Sequence, residues 1–264
     1  MAFTPFIDDL ALIEVFLLLV ASVLAYSGVR VWWAAAKNRP EELRKVLKGT
    51  GVPIGLVGSA TLVLALWGEM TWPFLTSDGM GGYNIFFFDP LLLMSFVLLA
   101  FSVSAVLSLK LQYVGVFAMV AGAATIFYGW TGYTANPAFT KDPFDTLLLY
   151  AGFGLAGILA LPASLAVDYY LEKTEAGVAP WTVGRASILT PPATWGARGA
   201  QPVVPGATAT SEADSPAPTF RMPYLLHALM LAFPVIIALA GIAALWYFGV
   251  TLPGHLGSGP ANAP

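Results

Sequence analysis

Two stretches of this sequence align with each other over 28 positions without a gap. Residues 51–78 read GVPIGLVGSATLVLALWGEMTWPFLTSD, and residues 115–142 read GVFAMVAGAATIFYGWTGYTANPAFTKD. Nine positions are identical, and they include Gly51, Gly58, Thr61, Gly68 and Pro73 with their counterparts 64 residues later. An internal repeat constrains the whole architecture. Each copy is an apolar run that ends in a polar turn, which is typical of a helix followed by a connection.

The match resumes after the turn, where FDPLLL at 88–93 aligns with FDTLLL at 144–149 and opens a second apolar run. The sequence therefore predicts a tandem duplication of a two-helix hairpin, with repeat units at 51–110 and 115–168. Both units run in the same direction, so the duplication is parallel. A third unit, made of the first and last apolar runs, is an open alternative because FIDDL at 6–10 resembles PFD at 143–145.

The composition indicates that lipid is the solvent. Charged residues make up 10% of the 264 residues and apolar residues 58%, whereas soluble domains carry about 25% charged residues. A membrane-spanning helix needs about 20 mostly apolar residues. The stretches that meet this length are 10–36, 51–70, 90–109, 113–134, 144–167 and 223–250. We predict an all-α integral membrane protein with six transmembrane helices, in contact with the lipid bilayer. The net charge of −3 gives no basis for a nucleic-acid partner.

The positive residues are distributed unevenly between the predicted loops. Ten Lys and Arg residues lie on one side of the spans, and Lys141 alone lies on the other. Positive residues concentrate in cytoplasmic loops. We therefore expect a multi-pass protein of the cell membrane, with 37–50 and 169–222 in the cytoplasm and both termini outside.

The domain organisation follows from the same pattern. We expect a membrane domain with five spans over 1–175 and a sixth span over 220–251. The segment 176–219 is rich in Pro, Gly, Ser and Thr, which predicts a disordered cytoplasmic loop. The residues 252–264 are expected to form a flexible outer tail.

Four aspartates occupy equivalent positions in the two repeat units. Asp89 and Asp145 each precede a returning helix, where an aspartate caps unpaired backbone N–H groups. The alternative is that both line an outer vestibule that binds a cation. Asp78 and Asp142 lie in the outer turns, where a turn role or the same cation site explains them. Glu14 is a carboxylate inside a predicted span, so it is a functional candidate, with a place at the interface as the alternative.

His227 lies inside the last span and is the candidate for cofactor binding. A haem held between helices takes two axial ligands, and the second would come from a methionine such as Met230 or from another chain. A quinone contact, a proton relay and a structural hydrogen bond are the alternatives. The chain has no cysteine, which excludes disulfides and cysteine-ligated clusters. No metal site is predicted beyond the cation hypothesis.

The outer turn of the first unit is longer than that of the second and carries an aromatic run. Its large members are Tyr83, Phe86, Phe87 and Phe88. Exposure of these rings to water would be costly. We expect them on the membrane surface, on another helix or on a partner, and they are the interface candidates.

Small residues at helical spacing predict where helices approach closely. Gly51 and Gly55 form a GxxxG pair, and Gly152, Ala156 and Ala160 form a stripe at intervals of four. Small residues let helix backbones pack closely in lipid. We interpret these positions as packing and assign no chemistry to them.

The run YNIFFFDP at 83–90, placed before the returning helix of a duplicated hairpin, resembles a prokaryotic family of multi-pass membrane proteins known only as a domain of unknown function. The resemblance covers 51–170. It implies the fold and assigns no reaction, so no functional residue is carried over from it.

The sequence contains no phosphate loop, GxSxG elbow or HExxH motif, and we expect that the protein is not an enzyme. The expected function is a non-catalytic accessory or anchoring subunit of a larger membrane complex of the respiratory kind. Its partners would be other membrane subunits or further copies of itself. One alternative is a transporter or channel for ions or small solutes. The other is a redox subunit that binds haem or quinone through His227 or Glu14.

Overall fold

A computed structural model describes residues 9–72, 82–135, 143–175 and 223–257. These residues form six helices and no strand, which confirms the predicted all-α fold class for the described part of the chain. The helices are α1 (Asp9–Ala36), α2 (Pro40–Thr71), α3 (Gly82–Leu107), α4 (Gln112–Ala135), α5 (Pro143–Glu175) and α6 (Tyr224–Gly257).

All six helices are long and apolar enough to cross a membrane, with apolar segments of 23 to 32 residues. Only 33% of the most apolar window of each helix is buried inside the chain. The remaining positions are largely apolar as well, and they include Leu56, Val63, Phe96, Phe127 and Ile242. A helix that is apolar on every face is typical of a membrane span. The six predicted spans are therefore present as six apolar helices.

Four helices extend well beyond the predicted bounds, and one of them is α5, which ends at Glu175 rather than at 167. α2 begins at Pro40 rather than at 51, with proline in its first turn and Glu41 and Glu42 behind it. α3 begins at Gly82 rather than at 90, and α6 continues to Gly257, past the predicted start of the tail at 252. A helix satisfies its own backbone hydrogen bonds, and for the aromatic start of α3 this favours a longer helix over an irregular segment.

The most extensive helix packing joins α4 with α5, α2 with α3, and α1 with α6. Glycines permit this approach. A Cβ atom on Gly122 of α4 would lie 3.0 Å from the Cα of Gly157 on α5, and one on Gly51 would lie 2.8 Å from Val106 Cγ2 on α3. In the predicted stripe, a Cβ atom on Gly152 would lie 3.0 Å from the Cβ of Ala240 on α6. Close packing at Gly51 and Gly152 is therefore confirmed.

An ion-pair network joins α1 to α2 across their short connection. The Arg30 guanidinium donates to Glu42 Oε1 at 3.0 Å, and Arg39 donates to Glu42 Oε2 at 3.3 Å. Asn38 in the connection has a φ of 53°, a conformation that asparagine tolerates better than most residues. The Tyr170 hydroxyl of α5 donates to Asn38 Oδ1 at 3.2 Å. The connection is thus fixed both to α2 and to α5.

The beginning of α4 is capped by a side chain from another helix. Asp168 of α5 accepts hydrogen bonds from the backbone N–H of Leu111 at 3.1 Å and of Gln112 at 2.8 Å. The first N–H groups of a helix lack intrahelical partners. The carboxylate of Asp168 accepts hydrogen bonds from two of these N–H groups. It therefore links the start of α4 to α5.

Candidate functional site

The centre of the six-helix bundle contains an apolar cavity of about 240 Å³. Every helix contributes to its wall, with Leu17 and Val20 from α1, Met94 and Leu98 from α3, and Phe233 from α6 among the larger side chains. Small residues of α4 and α5 leave the space open, and these are Gly115, Ala118, Ala121, Ala156 and Ala160. The cavity therefore exists because bulky residues on three helices face small residues on the other side.

The cavity is long and narrow. Its wall on α1 runs from Ile13 to Val31, and its wall on α5 runs from Leu149 to Val167. Each stretch covers about 27 Å at a helical rise of about 1.5 Å per residue, close to the roughly 30 Å thickness of a bilayer hydrocarbon core. A cavity of this length and modest volume has the proportions of a single extended chain.

Three hydroxyls in the cavity wall are hydrogen-bonded within their own helices. The Thr50 hydroxyl donates to Val46 O at 2.8 Å, Thr125 donates to Ala121 O at 2.9 Å, and Ser164 donates to Leu161 O at 2.8 Å. Hydroxyls satisfied in this way present little polarity to the interior. The wall is consequently apolar over most of its length.

One end of the cavity differs from the rest. Glu14 is only 3% exposed and is the one charged residue among the described residues of the wall. Its neighbour Ile13 belongs to a buried cluster that includes Tyr150, with Tyr247 packed against it. The opposite end of the cavity is lined by Val31 and Met230, which belong to a second apolar cluster. The side chain of Glu14 is buried beside the cavity and does not reach the surface of the described bundle, and its functional role stays a prediction.

The aromatic run of α3 forms part of the polar end. Phe86, Phe87 and Phe88 are buried in the same cluster. Phe88 lies against Gly68 of α2, and the Phe86 ring stacks on Tyr150 with centroids 4.7 Å apart. These three rings therefore pack on other helices of the same chain, one of the three expected locations, and they offer no surface to a partner. The side chain of Tyr83 lies outside the described residues.

Asp89 belongs to a cluster of polar side chains from three helices. Its Oδ2 accepts a hydrogen bond from the Tyr128 hydroxyl of α4 at 2.5 Å, and the Glu69 carboxyl of α2 lies in contact with it. Asp89 is about two turns inside α3, so the prediction that it caps this helix is wrong. The error arose because burial of the preceding phenylalanines extends the helix past the Asp89-Pro90 signal.

Asp145 occupies a different environment from Asp89. It lies in the first turn of α5, two residues after Pro143, so it is near the helix end without being its N-cap. Its Oδ2 accepts a long hydrogen bond of 3.4 Å from Trp246 Nε1 at the surface. The structure does not bring Asp89 and Asp145 together in one described site. Asp78 and Asp142 lie outside the described residues.

His227 lies in the first turn of α6 and is not among the residues of the cavity wall. Met230, the suggested second axial ligand, is on the same helix three residues later and does line the cavity. Residues three apart share one face of a helix, so this pair cannot stand on opposite sides of one haem. Among the described residues, no group of three or more His, Asp or Glu side chains could hold a metal ion.

Sequence reasoning missed the partners of Asp89 and the cavity itself. Glu69 and Tyr128 are separated from Asp89 by 20 and 39 positions, and neither belongs to a motif. The small residues Ala156 and Ala160 did give a signal, but it was interpreted as packing alone. In the structure both line the cavity.

Replacement of Asp89 should separate hydrogen bonding from charge. Asp89→Asn keeps an acceptor for Tyr128 and adds a donor for Glu69 Oε1, which is buried without a hydrogen-bond partner in the described part of the chain. We expect Asn to be neutral or stabilising. Asp89→Ala should lower the free energy of unfolding by about 1–2 kcal/mol, because it leaves the Tyr128 hydroxyl unpaired. Thermal unfolding in mild detergent measures both.

Asp145→Ala is the matched control at the equivalent position of the second unit. The hydrogen bond of Asp145 is long and exposed. The free energy of unfolding should therefore fall by only about 0.3–1 kcal/mol, the contribution of a negative charge near a helix N-terminus. Two results would contradict the described role of the cluster around Asp89. One is an equal loss of stability in the two alanine variants. The other is an Asp89→Asn variant that is as unstable as Asp89→Ala.

Comparison with known proteins yields a family and no function. No curated protein and no solved structure matches the chain. A family described as protein of unknown function (DUF981) matches residues 1–181, which is more than half of the chain. The resemblance to an uncharacterised membrane-protein family is thereby confirmed, and the match reaches beyond 51–170 at both ends. The chain belongs to the DUF981 family of proteins of unknown function.

Proposed function

We propose that this protein is a non-catalytic membrane subunit that holds one lipid-type hydrocarbon chain in its central cavity. The observation that carries the proposal is the narrow apolar cavity, to which all six helices contribute and which extends along about 27 Å of α1 and α5. Small-molecule sites are concave and mostly apolar, with few polar groups. The cavity has this character, and its single carboxylate is at one end.

The size of the cavity favours a slender occupant. An engineered apolar cavity of about 150 Å³ binds benzene, and drug-sized ligands occupy about 300–1,000 Å³. The 240 Å³ found here lies between these values and is spread along the bundle axis. An acyl or isoprenoid chain fits this shape, whereas a broad, flat macrocycle does not.

A quinone-binding redox subunit is the second candidate, because a quinone carries a long apolar tail of the kind that the cavity would accept. Glu14 rather than His227 would then be the residue near the ring, since Glu14 lines the cavity. The accessory role within a larger complex remains part of the main proposal. The transporter alternative has less support, because the described wall of the cavity is mainly apolar and three of its hydroxyls bond to their own helices.

Filling the cavity should abolish binding of an apolar chain. Ala121 on α4 is buried and lines the cavity, whereas Ala123 on the same helix is exposed. Ala121→Phe should weaken the binding of a fluorescent hydrocarbon-chain probe by at least about tenfold. Ala123→Phe should leave it unchanged, since that side chain points away from the cavity. Fluorescence titration of the purified protein in detergent measures both.

One outcome would count against this proposal, and a folding failure would have to be told apart from it. Equal probe binding by the two alanine variants would place the probe outside the cavity. Loss of folding in Ala121→Phe would be recognised by its thermal unfolding, and Ala156→Phe then tests the same cavity from α5, where the side chain is also buried.

We further propose that both termini lie outside the cell membrane and that 169–222 is cytoplasmic. The support is the ten-to-one asymmetry of Lys and Arg. Because the chain has no cysteine, single cysteines can be introduced without other changes. Cysteines at Gly206 and Gly257 should react with an impermeant thiol reagent from opposite sides of the membrane. Labelling of both from the same side would contradict the topology.

The duplication of the hairpin is also a proposal, and helix packing supports it. Gly58 and Gly122 are equivalent in the two repeats. A Cβ atom on Gly58 would lie 3.0 Å from Leu98 Cβ, and one on Gly122 would meet the carbonyl oxygen of Gly154. Leu98 follows Asp89 at the same interval as Gly154 follows Asp145. Equivalent glycines thus face equivalent positions on the returning helices, and the α1–α6 pair completes the ring of helices around the cavity.

A further inference from the structure

The position of Glu14 bears on what kind of molecule the cavity would hold. The side chain is 3% exposed, so its carboxyl is almost entirely removed from solvent and lipid. It lies in the wall of a cavity that is otherwise apolar. Burial of a carboxylate is costly unless a donor or a cation meets it. Glu14 already interacts within the chain, and as the one charged residue of the described wall it is also the group that the polar head of a bound molecule would meet.

Aromatic hydroxyls are gathered at the same end. Tyr150 and Tyr247 both line the cavity there. The Tyr150 hydroxyl donates to the backbone oxygen of Phe86 at 2.6 Å, which fixes its ring. The Tyr247 hydroxyl accepts a hydrogen bond from Thr146 Oγ1 at 3.4 Å. These rings are held in place at the same end of the cavity as Glu14, and fixed surroundings favour recognition because little ordering is needed on binding.

The opposite end offers no comparable group. It is closed by apolar side chains, among them Val31, Leu111, Val167 and Met230. The hydroxyls of Thr50, Thr125 and Ser164 in the wall bond to carbonyls of their own helices. The cavity therefore has one polar end and one apolar end, and a molecule with a single head and a single tail matches it in only one orientation.

We infer that the cavity selects single-chain amphiphiles whose head group donates a hydrogen bond, with that head at Glu14 and the chain directed toward Met230. The inference rests on the proposed function, since it needs the cavity to bind a chain. The head groups with this chemistry are primary amines and hydroxyls, including the hydroxyls of a reduced quinone. When Glu14 is ionised, it repels a carboxylate head, and an ether or ester head donates no hydrogen bond to it.

The test compares head groups on a constant chain. Saturated chains of equal length that end in a primary amine, a primary alcohol or a methyl ether displace the fluorescent hydrocarbon-chain probe from the purified full-length protein. We expect the amine and the alcohol to bind at least about tenfold more tightly than the ether, as a hydrogen bond to a charged group allows. This comparison uses the unmodified protein, so it does not depend on whether a variant folds.

Substitution of Glu14 then assigns the effect to one residue. Glu14→Leu removes the acceptor and should bring the amine and the alcohol down to the affinity of the ether, which itself is unchanged. Glu14→Gln keeps an acceptor without the charge, and should retain the preference for the alcohol while reducing that for the amine. Glu172→Leu, an exposed carboxylate outside the cavity, is the control and should behave as the parent protein.

The possible failures separate the two proposals. If the three heads bind the parent protein equally, or if the preference persists in Glu14→Leu, recognition by Glu14 is overturned and chain binding stands. If no chain displaces the probe, or if the probe does not bind, the proposed function falls together with this inference.

Discussion

Phe88→Ala is expected to lower the free energy of unfolding by about 3–5 kcal/mol, the range typical of truncating a buried phenylalanine. Phe88 is 0% exposed and lies in the cluster that closes the polar end of the cavity. Its ring fills the space left by Gly68 on α2, because a Cβ atom there would collide with the ring. Removal of the ring leaves a void between α2 and α3 that neighbouring backbones cannot fill. Thermal or denaturant unfolding in mild detergent measures the loss.

Phe96 provides the control on the same helix. It has the same side chain but is 45% exposed on the outside of the bundle, where lipid or detergent replaces the lost contacts. Phe96→Ala should change stability by less than about 0.5 kcal/mol, as expected for surface positions. Similar losses for the two variants would show that α3 does not bury the face described here.

Gly122→Ala should be the second most damaging of these changes, at about 3 kcal/mol, the upper end of the usual cost of overpacking. An ideal Cβ atom on Gly122 would lie 3.0 Å from both Gly157 Cα and Ile158 N of α5. These are backbone atoms, so no side chain can rotate away and the two helices must separate. The same thermal unfolding experiment measures the cost, and binding of the hydrocarbon-chain probe should weaken as well because Gly122 lines the cavity.

Gly49 of α2 is the control position, because a Cβ atom there has no neighbouring helix to contact. A Cβ atom at Gly49 would meet nothing within 4 Å. Gly49→Ala should therefore be neutral or should stabilise α2 by up to about 1 kcal/mol, because alanine loses less backbone entropy in a helix. Gly58→Ala should fall between the two, since its closest neighbour is a side chain, the Cβ of Leu98 at 3.0 Å. Equal effects at Gly122 and Gly49 would contradict the close approach of α4 and α5.

The helices were predictable because their signal is local. A run of about 20 apolar residues can satisfy its backbone in lipid only as a helix, so six such runs predict six helices without knowledge of their neighbours. The glycines at 51 and 152 were predictable as contact points for the same reason, since small residues at helical spacing have one common use in membranes.

The start of α3 shows where local reasoning fails. Asp89-Pro90 has the form of a helix start, and by itself it is a sound signal. Burial of Phe86 and Phe88 against other helices outweighs it and extends α3 back to Gly82. That burial depends on Gly68 and Tyr150, which are distant in sequence. The position of Asp89 thus follows from tertiary packing.

The cavity could not be predicted for a related reason. Ala118, Ala121 and Ala156 are small residues on apolar helices. A sequence with alanine at these positions is equally consistent with direct contact between helices. Whether such a position closes on a neighbour or leaves a space depends on what lies opposite. Gly122 meets the backbone of α5, yet Ala121 beside it borders the cavity. Glu14 was recognised as a candidate from its depth in the span, whereas its place at one end of the cavity depends on all six helices.

Native mass spectrometry of the protein, released from its own membrane in mild detergent, tests the central claim most directly. The account predicts that the parent protein and Ala123→Phe retain one tightly bound molecule of lipid-type mass per chain, and that Ala121→Phe has lost it. Identification of the released molecule then gives its head group. A parent protein that carries no such adduct, or the same adducts in both alanine variants, would contradict the claim that the bundle holds a single chain in its central cavity.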